Sequence, residues 1–198
     1  MVEQSVASYD KTTALIVVDV QNDFADPAGG LYVRGGEEVV FLVNEEVTAA
    51  QNAGAAVVYT QDWHPADTPH FEKDGGTWPV HCVADTWGAE LHPDLMVHGP
   101  VVRKGTSGED GYSGFSVRDP VSGLGSPTQL QSVLDPDVER VVVVGLAGDY
   151  CVKETALDAV QLGYAVEVPR SVTRFVDLAP GDGERALDEL LAAGVTVS

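Results

Sequence analysis

Residues 139–160 constrain the fold more than any other segment, because they join an apolar run to a helical pattern through a short turn. Four consecutive valines at 141–144 are typical of a strand buried on both faces, as in a parallel sheet. Glycines within residues 145–148 interrupt that run, and helical spacing begins after Asp149. Asp149 is therefore predicted to cap a helix whose first turn contains Cys151.

Cys151 is a candidate nucleophile because of this position. The first amides of a helix are unpaired and carry positive potential, which lowers the pKa of a thiol and can hold an oxyanion. A lone cysteine is more often a small buried hydrophobic residue. The catalytic interpretation therefore needs partner residues from elsewhere in the chain.

The chain has 198 residues, 44% of them hydrophobic, which suffices for one domain with its own core and is short for two. We therefore expect a single domain over residues 1–198. No run of about 18 apolar residues is present, and the polar residues 1–11 lack the basic and apolar regions of a signal peptide. A cytoplasmic location is predicted, in which Cys82 and Cys151 are free thiols.

The charge balance excludes two classes of partner. Acidic residues outnumber basic ones 31 to 11, which gives a formal net charge of -20. Charge of this sign repels nucleic acid and anionic membranes, so neither is expected to bind. The acidity is interpreted as surface chemistry and says little about a small-molecule substrate.

Strand patterns alternate with helical patterns along the chain. Apolar runs predict strands at residues 13–19, 55–60, 101–104, 141–144 and 165–168, with an edge strand at 195–197. Helical spacing predicts helices at residues 39–50, 130–134, 149–160 and 184–193, and residues 61–100 are predicted to form a long functional loop. This alternation predicts an α/β fold: a Rossmann-like three-layer α/β/α architecture with a mainly parallel central sheet.

Four reactive side chains lie at or just past the ends of the predicted strands: Asp19, Asp62, Lys104 and Cys151. Ligands bind beyond the carboxyl ends of the strands in such sheets, so these groups should converge at one edge. A thiol, a carboxylate base and an ammonium are the parts needed for nucleophilic acyl transfer. Asp19 is the predicted base, because partial burial at the end of an apolar strand raises a carboxyl pKa. Considered singly, Asp19 would be a turn residue and Lys104 a solvated charge.

The long loop contains a second constellation. Aspartate and imidazole are good ligands for zinc, iron or manganese, and the spacing of Asp62 and His64 lets both side chains point the same way. Cys82 could compete with a neighbouring histidine as a ligand, although a buried structural role is favoured for it. His92 and His98 are assigned to the surface. The candidate metal ligands are Asp62, His64, His70 and His81.

Aromatic residues also gather in the predicted loops. Such clustering suits a flat ring bound between aromatic faces, although core packing explains any one of these residues equally well. The residues concerned are Phe24, Trp63, Trp78, Tyr112 and Phe115.

Five motifs carry a resemblance that spans most of the chain. They are VVDVQNDF at 17–24, QDWHPADTPHF at 61–71, GTWPVHC at 76–82, RKG at 103–105 with YSGF at 112–115, and GLAGDYCVKETALDAV at 145–160. In these motifs the sequence resembles the isochorismatase-like cysteine hydrolases and, within them, the nicotinamidases, which are also called pyrazinamidases.

The resemblance implies a role for each of the quoted residues. The implied catalytic triad is Asp19, Lys104 and Cys151, with an oxyanion hole made by the amides of Ala147 and Cys151 after a cis peptide between Leu146 and Ala147. The implied metal ligands are Asp62, His64, His70 and His81, holding one divalent ion, with zinc favoured over iron or manganese. The implied contacts to a pyridine ring are Phe24, Trp78 and Tyr112.

The activity implied by the resemblance is hydrolysis of nicotinamide, and also of pyrazinamide, through a Cys151 thioester, as part of NAD salvage. The alternative is another amidase of the superfamily that acts on a carbamoyl or ureido compound with the same triad. A hydrolase of the isochorismatase type is disfavoured because that activity does not need the cysteine. A non-catalytic metal-binding or redox-sensing protein is a fourth interpretation. The sequence is compatible with a homo-oligomer and leaves the metal open.

Overall fold

A computed structural model describes residues 6–198 of the chain. Residues 1–5, which belong to the segment considered above for a signal peptide, lie outside the described residues. The strands are β1 Thr13–Val18, β2 Ala56–Asp62, β3 Val101–Lys104, β4 Ser116–Arg118, β5 Gly125–Pro127, β6 Arg140–Leu146, β7 Ala165–Val168, β8 Thr173–Arg174 and β9 Thr196–Val197. The α-helices are α1 Asn22–Ala25, α2 Gly36–Ala53, α3 Leu130–Val133, α4 Cys151–Gln161 and α5 Asp182–Ala192.

The central sheet is parallel throughout. Its main path has the strand order β3-β2-β1-β6-β7-β9, and the two-residue β8 pairs with the C-terminal end of β6. Each of these pairings is parallel. Strands β4 and β5 form a separate antiparallel pair. The predicted parallel α/β sheet and its edge strand near the C-terminus are confirmed.

Side chains of β1 alternate between two apolar layers. Leu15 and Val17 belong to the cluster that contains the buried face of α2. Ile16 and Val18 belong to the cluster that contains the buried residues of α4 and α5. Since successive strand residues point to opposite faces, the sheet is covered by helices on both sides. The predicted three-layer arrangement is confirmed.

The predicted bounds of two strands are wrong by a few residues. Strand β6 continues to Leu146, because Gly145 pairs with Val18 on one side and Thr173 on the other instead of interrupting the strand. Strand β2 continues to Asp62, which the sequence pattern placed beyond the strand. The ladder with neighbouring strands therefore extends further than the apolar runs indicate.

Strands β4, β5 and β8 were not predicted. Residues 116–118 and 125–127 are partly or fully exposed, and the second of these segments contains glycine and proline. Val117 is the one β-branched residue in these two segments and neither contains an aromatic residue, so the composition that makes a strand recognisable is nearly missing. Their pairing is therefore set by tertiary contacts and not by a local pattern.

The predicted capping role of Asp149 is wrong. Helix α4 begins at Cys151 with Tyr150 as its N-cap, and no side chain caps it. The Asp149 carboxylate instead accepts hydrogen bonds from the amides of Val176 and Asp177, at 3.0 and 2.9 Å. A remote loop competes successfully for the carboxylate that local rules assign to the helix.

Among residues 6–198, no helix combines the length and the apolar character needed to cross a bilayer. The cytoplasmic location and the single domain over residues 1–198 remain predictions.

Replacement of Gly145 should reveal the close contact between β6 and β1. Gly145 has a φ of 111°, and an added Cβ would lie 2.2 Å from the Val18 carbonyl oxygen. Gly145→Ala should therefore lower the free energy of unfolding by about 3 kcal/mol or more, from backbone strain and overpacking together. Gly163→Ala is the matched control, because Gly163 also has a positive φ of 95° and its Cβ would meet nothing within 4 Å. It should cost about 1 kcal/mol. Equal losses in urea unfolding would contradict the predicted clash.

Candidate active site

Three adjacent parallel strands end in the charged residues of the site. Strand β1 ends at Val18, and Asp19 follows with a left-handed backbone, at a φ of 48°. Asp62 and Lys104 are the last residues of β2 and β3 and are in register with each other. The Asp19, Asp62 and Lys104 side chains are all buried. The end of the sheet therefore concentrates charge in a buried part of the protein.

The Lys104 ammonium lies among groups from four separate segments of the chain. Its Nζ is 2.7 Å from Asp19 Oδ2, 2.5 Å from Asp62 Oδ1 and 3.7 Å from Cys151 Sγ. It also donates a hydrogen bond to the Gly111 carbonyl oxygen. The structure therefore brings together the four residues that the sequence places after separate strands.

The two carboxyl groups beside this ammonium have opposite pKa shifts. Burial raises the pKa of Asp19 to about 6. The Lys104 ammonium lowers this pKa, and the negative charge of Asp62 raises it. The Thr60 hydroxyl donates a hydrogen bond to Asp19 Oδ1 at 2.6 Å and opposes the rise. Burial would also raise the pKa of Asp62, but Lys104 and His64 hold it well below its usual range. Asp19 is thus suited to exchange a proton near neutral pH, and Asp62 remains ionised.

The Cys151 thiol is protonated in this environment. Burial raises its pKa well above the ordinary value, and the Asp19 and Asp62 charges add to the rise while Lys104 opposes it. Burial lowers the pKa of Lys104, but the two carboxylates more than reverse this. The expectation that the helix N-terminus lowers the thiol pKa is therefore not met, because burial among carboxylates dominates. A base is needed to ionise the thiol.

The turn before α4 places Ala147 and Cys151 at the same cavity. The peptide between Leu146 and Ala147 is cis, as expected. The Ala147 carbonyl oxygen accepts hydrogen bonds from the amides of Tyr150 and Val152, at 3.1 and 3.0 Å. This closes the turn and makes Cys151 the first residue of the helix. Ala147 and Cys151 both line the cavity described below.

Three buried imidazoles form a cluster beside Asp62. The ring centroids of His64 and His70 are 4.6 Å apart, and that of His81 lies 5.3 and 5.4 Å from them. One ligand atom from each lies within 4.8 Å of the others. Asp62 Oδ2 lies 3.7 Å from His64 Nε2. The four predicted ligands are thus gathered at one point of the site.

The hydrogen bonds of the histidines suit them to hold a divalent metal. His70 Nδ1 lies 2.7 Å from Asp110 Oδ1, and His81 Nδ1 lies 2.7 Å from the Pro79 carbonyl oxygen. Each of these rings can therefore donate from Nδ1 and keep Nε2 as a ligand. Neither buried nitrogen of His64 has a hydrogen-bond partner among the described residues. Burial lowers the pKa of His70 and lowers that of His81 to about 4, so both are neutral at physiological pH, as metal ligands must be.

A second group of ligand atoms, from Asp19, Asp62 and Cys151, could also hold a cation. The Lys104 ammonium already lies between these three side chains. The protein therefore supplies the positive charge of this group itself, and the histidine cluster is the better metal site.

A cavity lined mainly by aromatic and apolar side chains opens above these groups. It brings together all three residues expected to contact a ring. Trp78 Nε1 donates a hydrogen bond to the Tyr112 hydroxyl at 2.8 Å, which fixes both rings. The lining residues are Phe24, Leu31, Val33, Asp62, His70, Trp78, His81, Gly111, Tyr112, Ala147, Tyr150, Cys151 and Val176.

Two aromatic residues singled out by the sequence do not line the cavity. Trp63 packs against the Arg103 guanidinium, whose carbon lies 3.6 Å from the ring centroid. Phe115 stacks on Tyr164 in the core, with centroids 6.0 Å apart. For these two residues the packing interpretation is the right one.

Four residues at the site were missed by sequence reasoning. The Gln21 side chain bonds both backbone groups of Asp62, at 2.7 and 2.8 Å. Tyr150 packs edge-on against Trp78, with centroids 4.8 Å apart, and its place beside Cys151 was the available signal. The contacts of Thr60 and Asp110 depend on how distant segments meet, so the sequence carries no local signal for them.

The chain belongs to the isochorismatase family. A profile of the isochorismatase domain matches residues 13–198. The match covers each of the elements that supply the triad, the histidines and the cavity, and it confirms the superfamily that the motifs indicate.

Within that family the chain is similar to nicotinamidases and pyrazinamidases. It is 38% identical to the nicotinamidase of Escherichia coli, with 93% of each chain covered. It is 39% identical to the pyrazinamidase of Pyrococcus horikoshii, solved in complex with zinc, at a TM-score of 0.82 over 94% of this chain and 98% of that one.

A third structure and a more distant relative complete the comparison. PnC1 from L. infantum, solved in complex with nicotinate, is 34% identical at a TM-score of 0.86, over 98% of this chain and 96% of that one. The ureidoacrylate amidohydrolase RutB of Caulobacter vibrioides is only 27% identical, over 78% of this chain and 73% of its own. The predicted kinship with nicotinamidases is therefore confirmed.

Removal of the buried ammonium should destabilise the protein strongly. Lys104→Met retains an apolar side chain but leaves the Asp19 and Asp62 carboxylates without their counter-charge, which should cost about 3–5 kcal/mol in urea unfolding at neutral pH. The loss should shrink as the pH falls, because protonation of Asp19 removes one uncompensated charge. Lys73→Met is the control, since the Lys73 side chain is 40% exposed and its ion pairs should contribute less than about 1 kcal/mol. Similar losses for both variants would contradict the role of Lys104.

Proposed function

We propose that the protein hydrolyses nicotinamide to nicotinate and ammonia through a thioester at Cys151, with pyrazinamide as a second substrate. The observation that carries the proposal is the contact of one buried ammonium, Lys104, with both the Asp19 carboxylate and the Cys151 thiol, beside an aromatic cavity. The activities of the similar proteins from E. coli and P. horikoshii support it.

Acylation begins with the transfer of the thiol proton to Asp19. A ligand atom of Asp19 and the Cys151 sulfur lie within 4.8 Å, and the pKa of Asp19, at about 6, leaves it ionised at neutral pH. The thiolate attacks the carboxamide carbon and forms the carbon–sulfur bond. The amides of Ala147 and Cys151, with the nearby Lys104 ammonium, stabilise the oxyanion.

Asp19 then transfers the protons needed to finish acylation and to carry out deacylation. Protonated Asp19 gives its proton to the leaving nitrogen, the carbon–nitrogen bond breaks, and ammonia departs. Asp19, ionised again, takes a proton from the water that attacks the thioester carbon. The carbon–sulfur bond breaks, the thiolate takes the proton back from Asp19, and nicotinic acid leaves and loses its own proton to solvent as nicotinate.

The walls of the cavity select a flat ring. Phe24, Trp78 and Tyr112 are proposed to contact the pyridine, and the hydrogen bond between the last two holds their faces in place. The proposed metal ligands are Asp62, His64, His70 and His81, and zinc is favoured because imidazole and carboxylate suit it and because the P. horikoshii protein was solved with zinc. A divalent ion held by these four residues would supply a Lewis acid.

The other interpretations have less support. An amidase for carbamoyl or ureido compounds would use the same triad, but it has no need of the aromatic walls, and the relative of that kind is more distant. Redox sensing needs an accessible cysteine of low pKa, whereas Cys151 is 7% exposed and its pKa is raised. A homo-oligomer remains a prediction.

Removal of the nucleophile tests the proposal directly. Cys151→Ala should abolish ammonia release from nicotinamide, while zinc content and the thermal midpoint stay close to the parent values. Cys82→Ala is the matched control: Cys82 is fully buried and lies outside the cavity lining, so turnover should persist despite a stability loss of about 1 kcal/mol. An active Cys151→Ala protein would overturn the mechanism. Ammonia release by the parent from ureidoacrylate, with none from nicotinamide, would establish the alternative.

The rate should depend on pH through Asp19. Because burial raises the Asp19 pKa to about 6, the group is ionised above that pH and protonated below it. Only the ionised form can take the thiol proton, so kcat/KM for nicotinamide should fall about tenfold per unit below pH 6. Rates measured from about pH 5 to about pH 8, with the zinc content checked at each pH, would show this. A flat profile at constant zinc content would contradict Asp19 as the base.

A further inference from the structure

Within residues 6–198, His70 is the one proposed metal ligand whose ring forms a hydrogen bond with a carboxylate that is not itself a proposed ligand. Its Nδ1 atom lies 2.7 Å from Oδ1 of Asp110, a residue whose side chain is 23% exposed. We propose that Asp110 is a positioning residue that fixes the His70 ring, with Nε2 directed to the metal, and so sets the affinity of the site. This inference rests on the proposed metal centre.

The hydrogen bond determines which nitrogen of His70 can bind a metal. A carboxylate only accepts, so Nδ1 must carry the proton and Nε2 must keep its lone pair. The negative charge also makes the ring a stronger ligand. His81 has only the neutral Pro79 carbonyl oxygen as its acceptor, and His64 has no acceptor among the described residues. Asp110 is therefore the strongest orienting group in the histidine cluster.

Asp110 is itself held rigidly. Its amide and carbonyl exchange two hydrogen bonds with the backbone of Arg118, at 2.8 and 2.9 Å. Arg118 ends β4, which pairs with β5. This antiparallel pair, which no sequence pattern predicts, thus acts as a brace for the residue that orients His70.

A second link joins the same two segments. The Thr68 hydroxyl donates to the Gly108 carbonyl oxygen at 3.0 Å and accepts a hydrogen bond from the His70 amide at 3.2 Å. The backbone of His70 is therefore held even without Asp110. Loss of the Asp110 carboxylate should release the ring and leave the chain in place.

Zinc affinity is the direct readout of this role. Apo protein should be titrated with zinc against a chromogenic chelator, for the parent, Asp110→Ala and Asp110→Asn. Asp110→Ala should bind zinc about 10–100-fold more weakly, as for other groups that orient metal ligands. Asp110→Asn keeps an acceptor oxygen without the charge and should lie between the two. Glu109→Ala is the control, because within residues 6–198 the Glu109 carboxylate accepts a hydrogen bond from the Ser107 amide alone, and its loss should leave the zinc affinity unchanged.

A double-mutant cycle separates positioning from a general structural effect. In a His70→Ala background the Asp110→Ala change should no longer weaken zinc binding, because the ring it orients is gone. An equal loss in both backgrounds, or parental affinity in Asp110→Ala, overturns the inference and leaves the proposed metal centre standing. If Asp110→Ala does not fold, parental affinity in Asp110→Asn overturns the charge-dependent role. A parent protein that binds no zinc refutes the metal centre itself, and the role of Asp110 falls with it.

Discussion

Burying the Lys104 ammonium costs several kcal/mol of lost hydration, which only close opposite charges can offset. Asp19 and Asp62 provide those charges at 2.7 and 2.5 Å. Both carboxylates stand at the ends of strands adjacent in the sheet, so β1, β2 and β3 must end at the same level for the ion pairs to form. The strand register therefore determines whether the charge of Lys104 is balanced.

The same ammonium gives its two carboxylate partners different chemistry. Asp62 also faces the histidines, and the pKa of its carboxyl is held far below the usual range, as suits a metal ligand. Asp19 lies deeper, with the Asp62 charge nearby, and its pKa rises to about 6, as suits a group that must both take and give a proton. Environments that drive apart the pKa values of two neighbouring carboxyl groups are a common way to assign them separate roles. Here the two carboxyl groups differ because Asp62 also lies beside the imidazoles of the histidine cluster.

The parts of this site that the sequence predicted are those encoded in short segments. Apolar runs mark β1 and β6, and the reactive residue after each run is visible without a structure. The spacing of Asp62 and His64 is equally local. The hydrogen bond between Asp110 and His70 joins residues 40 positions apart. It depends on a loop held by β4 and β5, whose sequences show no strand pattern, so local sequence rules do not predict it. Thr60 is hidden for a further reason: within an apolar strand it is indistinguishable from a β-branched core residue.

The error at Asp149 shows how the turn before α4 is held. Local rules favour an aspartate as the cap of a helix, yet α4 begins without a side-chain cap, which leaves the first amides of the helix free of a competing carboxylate. The Asp149 carboxylate binds the amides of Val176 and Asp177 instead, and Val176 lines the cavity. One side chain thus fixes a wall of the pocket. An aspartate that capped α4 would place its negative charge at the helix end where an oxyanion is proposed to form, so its diversion to the loop favours the proposed chemistry.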